Sequence, residues 1–242
     1  MAASTAVQAF GTFLIWNYHK ILELSSISGP SQSMDTIDVT SHDSDDAFRE
    51  YIGGILVGGE VAIEGNLITG DSNGQIAFHT DLQAKTKRNC FIVLPMAVGA
   101  SLSLAAFGKG FDASFPYEDK VGMSGSLQVS GKPTLLTTQA TGISALSGIE
   151  ENESAALSFA EEVAASTYAY TCTVNTASTW VKLTVTAASH TIYVQGTAQT
   201  TAVQGDEVTL GAAGTDTDIL IIVYETSTSP RLYTLTVTRP AA

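Results

Sequence analysis

Two stretches of this chain alternate apolar and polar residues with a period of two. In residues 59–67, Val61, Ile63 and Leu67 fall on one side of an extended backbone, and Glu60, Ala62, Glu64 and Asn66 on the other. In residues 120–131, Val121, Met123, Leu127 and Val129 share one side, and Lys120, Ser124, Ser126 and Gln128 the other. Successive side chains of a strand point to opposite faces, whereas a helix repeats every 3.6 residues. Each stretch therefore reads as a strand in a sheet with one buried and one wetted face. The wetted face carries acids, small hydroxyls and few cations.

Other apolar runs extend this β pattern. Residues 10–17 and 21–27 read as a hairpin or two successive strands, and residues 91–96 and 102–107 as apolar strands. Gly70-Asp71-Ser72-Asn73-Gly74 is turn chemistry. Residues 75–85 are the best helix candidate, with Ile76, Phe78 and Leu82 on the buried side; so short a helix depends on packing. After residue 155 the chain is strand after strand, at 156–159, 168–174, 181–186, 191–195, 207–210, 219–225 and 232–238. Seven short strands separated by turns read as a β-sandwich. Residues 133–142 carry no charge but contain Pro133, Gly142 and several threonines, which suits a connector. The expected fold is mainly β. An N-terminal β-barrel or β-sandwich domain with one short helix covers 1–142, its connector at 133–142, and an Ig-like β-sandwich covers 143–242.

Residues 29–54 are rich in Ser, Thr and Asp and lie between two β-like runs. A long polar segment inside a compact domain is usually functional or disordered. This one reads as built to meet another surface, with Asp43-Ser44-Asp45-Asp46 capping a short helical turn over residues 47–52.

Composition narrows the function classes. Hydrophobic residues make up 44% and charged residues only 14%, so much of the surface must be uncharged Ser, Thr, Gly and Ala, which suits repeated protein–protein contact. The formal charge is −13. Eight basic and 14 acidic residues precede Pro133, and three and ten follow it, so both parts are acidic. This argues against a grip on nucleic acid, which needs Lys and Arg at phosphates. It is compatible with a channel through which DNA passes without sticking. Cys90 and Cys172 fall in different halves, so no disulfide framework is expected and the thiols fit a reducing compartment. The first residues lack a basic stretch before an apolar core, so no signal peptide is expected. The longest apolar runs, such as Phe13-Leu14-Ile15-Trp16, are too short to span a bilayer.

Motifs of chemistry are lacking. Gly122-Met123-Ser124-Gly125-Ser126 has the glycines of a nucleophile elbow misplaced and sits inside an alternating strand. Residues 125–132 resemble a phosphate loop with the wrong spacing, and Pro133 stands where a hydroxyl would hold magnesium. His19, His42, His79 and His190 are scattered, and the acidic run at 43–46 lacks the turn glycine and distal Glu of a calcium loop. Asp216 and Asp218 would matter only in a calcium-dependent cadherin. Glu60 and Glu64 stand about 7 Å apart along a strand, a spacing open to a carboxylate pair, but no aromatic residue is expected on their face. Trp16, Trp180, Tyr168, Tyr170, Tyr193, Tyr224 and Tyr233 lie on predicted strands as core or interface anchors, with a sugar platform in the second domain as the rarer use. The expectation is no catalytic site, no metal and no cofactor.

One ordered set of motifs carries more. Gly29-Pro30, Ile37-Asp38-Val39-Thr40, Arg49-Glu50-Tyr51-Ile52-Gly53-Gly54 and Gly59-Glu60-Val61 follow one another, then Gly74-Gln75, Leu94-Pro95, Ala106-Phe107-Gly108-Lys109-Gly110-Phe111 and the run 120–131. This order, over roughly residues 10–132, resembles the tail tube proteins of bacteriophages with long non-contractile tails. Leu146-Ser147-Gly148-Ile149, Leu157-Ser158-Phe159, residues 168–174 and 181–187, and the closing Tyr233-Thr234-Leu235-Thr236-Val237-Thr238-Arg239 resemble the cadherin-like β-sandwich family of bacterial Ig-type domains.

The first resemblance implies a structural virion protein. Homohexameric rings would stack into a hollow tube around the tape measure protein, with tail terminator and tail tip proteins as further partners. Double-stranded DNA would pass transiently without specific binding, and no membrane is involved. The location implied is the virion tail, with assembly in the host cytoplasm. Glu60, Glu64, Ser124, Ser126 and Gln128 are expected to line the lumen. Ser31, Asp35, Asp38, Asp43, Asp45 and Arg49 are expected between rings. Residues 143–242 are expected to decorate the outside as an independent module, so that a chain ending near Lys132 or Gly142 still forms tubes. The rival reading is an Ig-like bacterial surface or appendage adhesion protein.

Overall fold

The computed structural model describes residues 7–44, 46, 48–95, 97–151, 156–188 and 190–241; Asp45 and Ala47 lie outside them. The first half builds one antiparallel sheet. Its strands, in spatial order, are β2 (His19–Lys20), β1 (Phe13–Trp16), β7 (Lys87–Val93), β8 (Ser101–Ser114), β9 (Gly122–Val129), β6 (Glu60–Asn66) and β3 (Leu24–Ser28). β10 (Thr134–Leu136) pairs with the start of β8, so the expected connector is partly strand. Helix α1 (Gln75–Gln83) packs on the sheet opposite Gly108, where a Cβ would press on Leu82 and Phe78.

β6 and β9 alternate as their sequences require. Val61, Ile63, Met123, Leu127 and Val129 are buried, and the polar residues between them are not. Val121 departs from the expectation: it precedes β9 in the loop and is exposed. Ile76 is exposed as well. The helix docks through Phe78, with buried Gln75 and Asp81 one turn to either side, which rotates Ile76 outward.

Polar bolts hold this short helix. The Asp71 carboxylate accepts from the backbone N–H of Gly74, Gln75 and Leu22. The Gln75 amide donates to the carbonyls of Leu22 and Asn66 and accepts from the N–H of Ile68. At the other end Asp81 accepts from Trp16 Nε1 at 2.9 Å and from Arg88 in a two-pronged pair at 2.9 and 2.7 Å. Burial pushes the Asp81 carboxyl up, but the Arg88 and Trp16 hydrogen bonds and the guanidinium charge outweigh it and hold it below the ordinary carboxylate range.

The second half folds as two facing sheets. β11 (Ala145–Glu150), β13 (Trp180–Thr186) and β16 (Gln204–Thr209) form one. β12 (Ala169–Thr173), β18 (Arg231–Arg239), β17 (Thr215–Tyr224), β14 (Thr191–Val194) and β15 (Thr197–Gln199) form the other, with β12 and β18 parallel. Their core includes Tyr170, Leu183, Val185, Ile221, Tyr233 and Leu235. The Tyr233 hydroxyl accepts from the N–H of Ile143, tying the start of the sandwich to its last strand. Among the described residues the stretch at 156–159 makes isolated bridges, from Ala156 to Ile149 and from Phe159 to Cys172.

A third apolar cluster joins the halves. Ile15, Phe91, Val93 and Leu136 from the first sheet meet Ile222, with Leu220, Tyr193 and Tyr224 around them. Tyr18, in the β1–β2 turn, stacks on Tyr193 with ring centres 3.7 Å apart. The side chains of β1, β7 and β17 divide between two cores. Leu14, Trp16, Cys90 and Ile92 face the first core, and Ile219, Ile221 and Val223 face the sandwich. The residues between them fill the joint. The second unit is therefore docked on the first, and the expectation of a free-standing module is corrected: continuous apolar runs are covered on both faces.

Residues 33–57 leave the sheet as a separate two-stranded ribbon of β4 (Ser33–Asp38) and β5 (Tyr51–Val57). Tyr51 and Ile52 belong to a strand, where a helical turn over 47–52 was expected.

Candidate assembly surfaces

The register of β6 against β9 places Glu60 opposite Gln128, Ala62 opposite Ser126 and Glu64 opposite Ser124. Directly paired residues share a face. All five sequence-derived candidates for the wetted face thus come together on one side of the sheet. Ser26 and Ser28 of β3 and Asp112 of β8 extend that side. Lys109 sits at the bulge between Gly108 and Gly110, and its ammonium pairs with the Glu60 carboxylate. The face thus carries Glu60, Glu64 and Asp112 against Lys109 and, across Phe107, Lys87. Gln128 Nε2 donates to the Gly59 carbonyl at 3.0 Å, which fixes this side chain to the sheet. Phe107 pairs with Gln128, so this face does hold an aromatic ring, contrary to expectation.

The ribbon is the second surface. Gly29 and Gly59 have φ of +100° and +77°, and a Cβ on either would collide with the carbonyl of Glu60 or Ser31. Only glycine permits two chains to cross so closely there. Ser31 completes the base: its N–H donates to Glu60 O and its hydroxyl accepts from Glu60 N–H. Asp35 lies on β4, where the register shifts between Met34 and Thr36. Near the tip, Arg49 reaches Asp38 at 3.6 Å between exposed side chains. Asp38 also accepts from Thr40, and hydrogen bonds from that residue lower its carboxyl below the ordinary value. Asp43 donates its N–H to the Ser41 hydroxyl. Ser31, Asp35, Asp38, Asp43 and Arg49 are all exposed along this element, and Asp45 lies outside the described residues.

The sequence reading missed what stands between these acids. Met34, Ile37, Val39, Phe48, Tyr51, Ile52, Ile55, Leu56 and Val57 are all between 42% and 76% exposed. The signal was present in the run from Tyr51 to Val57, which is apolar apart from two glycines. Its meaning was hidden because the flanking Ser, Thr and Asp residues dominate the segment's composition.

The two cysteines lie elsewhere, free and buried. Burial pushes the Cys90 thiol well up and the Cys172 thiol up to about 11. Among the described residues no group of three or more His, Cys, Asp or Glu converges as metal ligands would. Asp218 is used instead by Thr236, whose hydroxyl donates to it at 2.6 Å.

Residues 144–240 match the family model of the cadherin-like beta sandwich domain, in agreement with the two facing sheets. No curated protein matches the chain. Part of the chain is similar to a chain in the virion of a native gene transfer agent particle, at 15% identity and a TM-score of 0.46, covering 54% of this chain and 98% of that one. A chain in the tail of an empty gene transfer agent particle gives 14%, 0.45, 53% and 98%. A chain in an extracellular contractile injection system, at its PVC sheath/tube terminator in the extended state, gives 16%, 0.46, 55% and 99%.

Proposed function

We propose that this chain is a structural subunit of a phage tail tube. The observation that carries the reading is the bare ribbon of residues 33–57. A two-stranded ribbon is marginal alone in water, and so many exposed apolar side chains on one element mark an interaction site. Other copies of the chain cover it in an assembly, as the resemblance over residues 10–132 implies. Among the described residues no further strand pairs with the outer edges of β2 and β3, which supports the same reading, since unpaired strand edges invite pairing. Six subunits close a ring, and rings stack around the tape measure protein, with terminator and tip proteins at the ends. Ser31, Asp35, Asp38, Asp43, Asp45 and Arg49 lie between rings.

The face bearing Glu60, Glu64, Ser124, Ser126 and Gln128 lines the lumen. Its carboxylates outnumber its lysines, and Glu60 pairs with Lys109, so the face repels phosphate and double-stranded DNA slides past with little cationic foothold. The cadherin-like unit sits on the exterior of the virion tail. Negative-stain microscopy of the purified protein, paired with amide exchange, tests this. Hollow tubes or six-fold rings, with ribbon amides protected only in the assembled protein, are the expected result. Monomers at every concentration, or a ribbon equally protected in free monomer and assembly, contradict it.

A further inference from the structure

The chain is exposed throughout residues 112–121, from the end of β8 through the loop 115–121 that leads to β9. It carries Phe115 and Tyr117, 74% and 100% exposed, followed by Glu118 and Asp119. Two aromatic rings held in water beside two acids have the composition of an interface anchor. Nothing else in the described chain covers them.

A matching socket lies in the same molecule. A cleft of about 430 Å³ opens between the two units, lined by Phe13, Val93, Tyr168 and Leu232 with Lys20 and Arg231. Lys20 Nζ stands 5.3 Å from the centre of the Phe13 ring, and Arg231 lies 6.0 Å over Tyr168. Among the described residues the buried Nε of Arg231 has no hydrogen-bond partner. The cleft is thus apolar and cationic where the loop is apolar and anionic.

The two features cannot meet within one chain. Ala100, just before β8, lines the cleft, while the loop follows the other end of that strand. Fourteen residues of strand separate them by roughly 40 Å. Complementary patches at opposite ends of one molecule make a head-to-tail contact, which propagates from copy to copy.

We infer that the Phe115–Asp119 tip of one copy inserts into the inter-unit cleft of the next, so that the cadherin-like unit supplies half of a subunit contact. This rests on the assembly reading above and goes further, because it makes the second unit part of the polymer contact. Tyr117 fills the apolar floor, and Glu118 and Asp119 meet Lys20 and Arg231.

Thiol cross-linking tests it, since both native cysteines are buried. Phe10 lines the cleft and is 92% exposed, so Phe10→Cys and Tyr117→Cys leave the fold undisturbed. Mixed and oxidised, the two variants should give a disulfide-linked dimer that neither gives alone. Tyr117→Ala should raise the concentration for half-assembly at least tenfold, as loss of a central anchor does. Glu118→Lys should raise it about threefold, and adding Lys20→Glu should reverse much of that. Tubes without the mixed dimer would overturn this contact and leave the tube reading standing. The mixed dimer without tubes would keep the contact and overturn the tube reading. Neither dimer nor tubes would overturn both.

Discussion

The two ends of the first sheet are built on opposite rules. At the β1–β7 end, Phe13 to Trp16 and Cys90 to Val93 are apolar at every position, and both faces are covered. At the β6–β9 end, each buried residue is followed by a wetted one. One end has spent both faces inside its own chain, while the other keeps a polar face for use outside it. The contrast separates what this chain needs in order to fold from what it needs in order to assemble.

Removing the partner of the doubly covered end is the most severe way to break the comparison. A chain ending at Gly142 bares Ile15, Phe91, Val93 and Leu136, and each such side chain contributes roughly 1.5–3 kcal/mol when buried. It should express as aggregate or melt far below the full chain in calorimetry. An unchanged melting temperature would show that the joint is passive. A point substitution sharpens the test: Phe91→Ala should cost about 3 kcal/mol in denaturant unfolding, although Phe91 lies outside the first unit's own core.

The sequence made one end of this sheet far more legible than the other. Alternation in 59–67 and 120–131 announced strand, buried face and wetted face together, and pairing then brought Glu60 to Gln128 and Glu64 to Ser124. The unbroken runs at Phe13 and Phe91 announced strands but not what covers their second face. That cover comes from Ile222 and Tyr193, some 100 residues or more along the chain, and local pattern carries no address for so distant a partner. Ile76 misled because helical periodicity assumes an apolar contact stripe, and here Gln75 and Asp81 dock by hydrogen bonds instead. The ribbon misled because its acids and hydroxyls outnumbered its apolar residues.

A smaller effect is expected where the helix is bolted to the doubly covered end. Asp81→Asn should cost about 1.5–3 kcal/mol near neutral pH through the lost charge-assisted bonds. The folded carboxyl is held below its ordinary value. Its contribution is therefore complete above the unfolded pKa of about 3.9 and disappears as pH falls through the lower folded value. Wild type and variant should converge in stability through that acid window. A constant gap down to pH 2 would contradict the assignment.

The least effect on stability belongs to the wetted end. Ser126→Ala and Glu64→Lys should change unfolding free energy by no more than about 0.5 kcal/mol, and Glu60→Lys, which also breaks the exposed pair with Lys109, by about 1 kcal/mol. Glu60→Lys with Glu64→Lys should nevertheless slow genome release from assembled particles, measured by dye uptake into ejected DNA, because it gives phosphate a foothold inside the tube. Loss of folding in these variants would show that the polar face is structural.

The most direct test of the central claim is a helical reconstruction of the assembled protein by electron cryo-microscopy. The account predicts six-fold rings in which the Glu60, Glu64, Ser124, Ser126 and Gln128 face lines the lumen and the ribbon of residues 33–57 is buried between subunits. A tube whose glutamate face points to solvent on the outside, or whose ribbon stays bare, would contradict it.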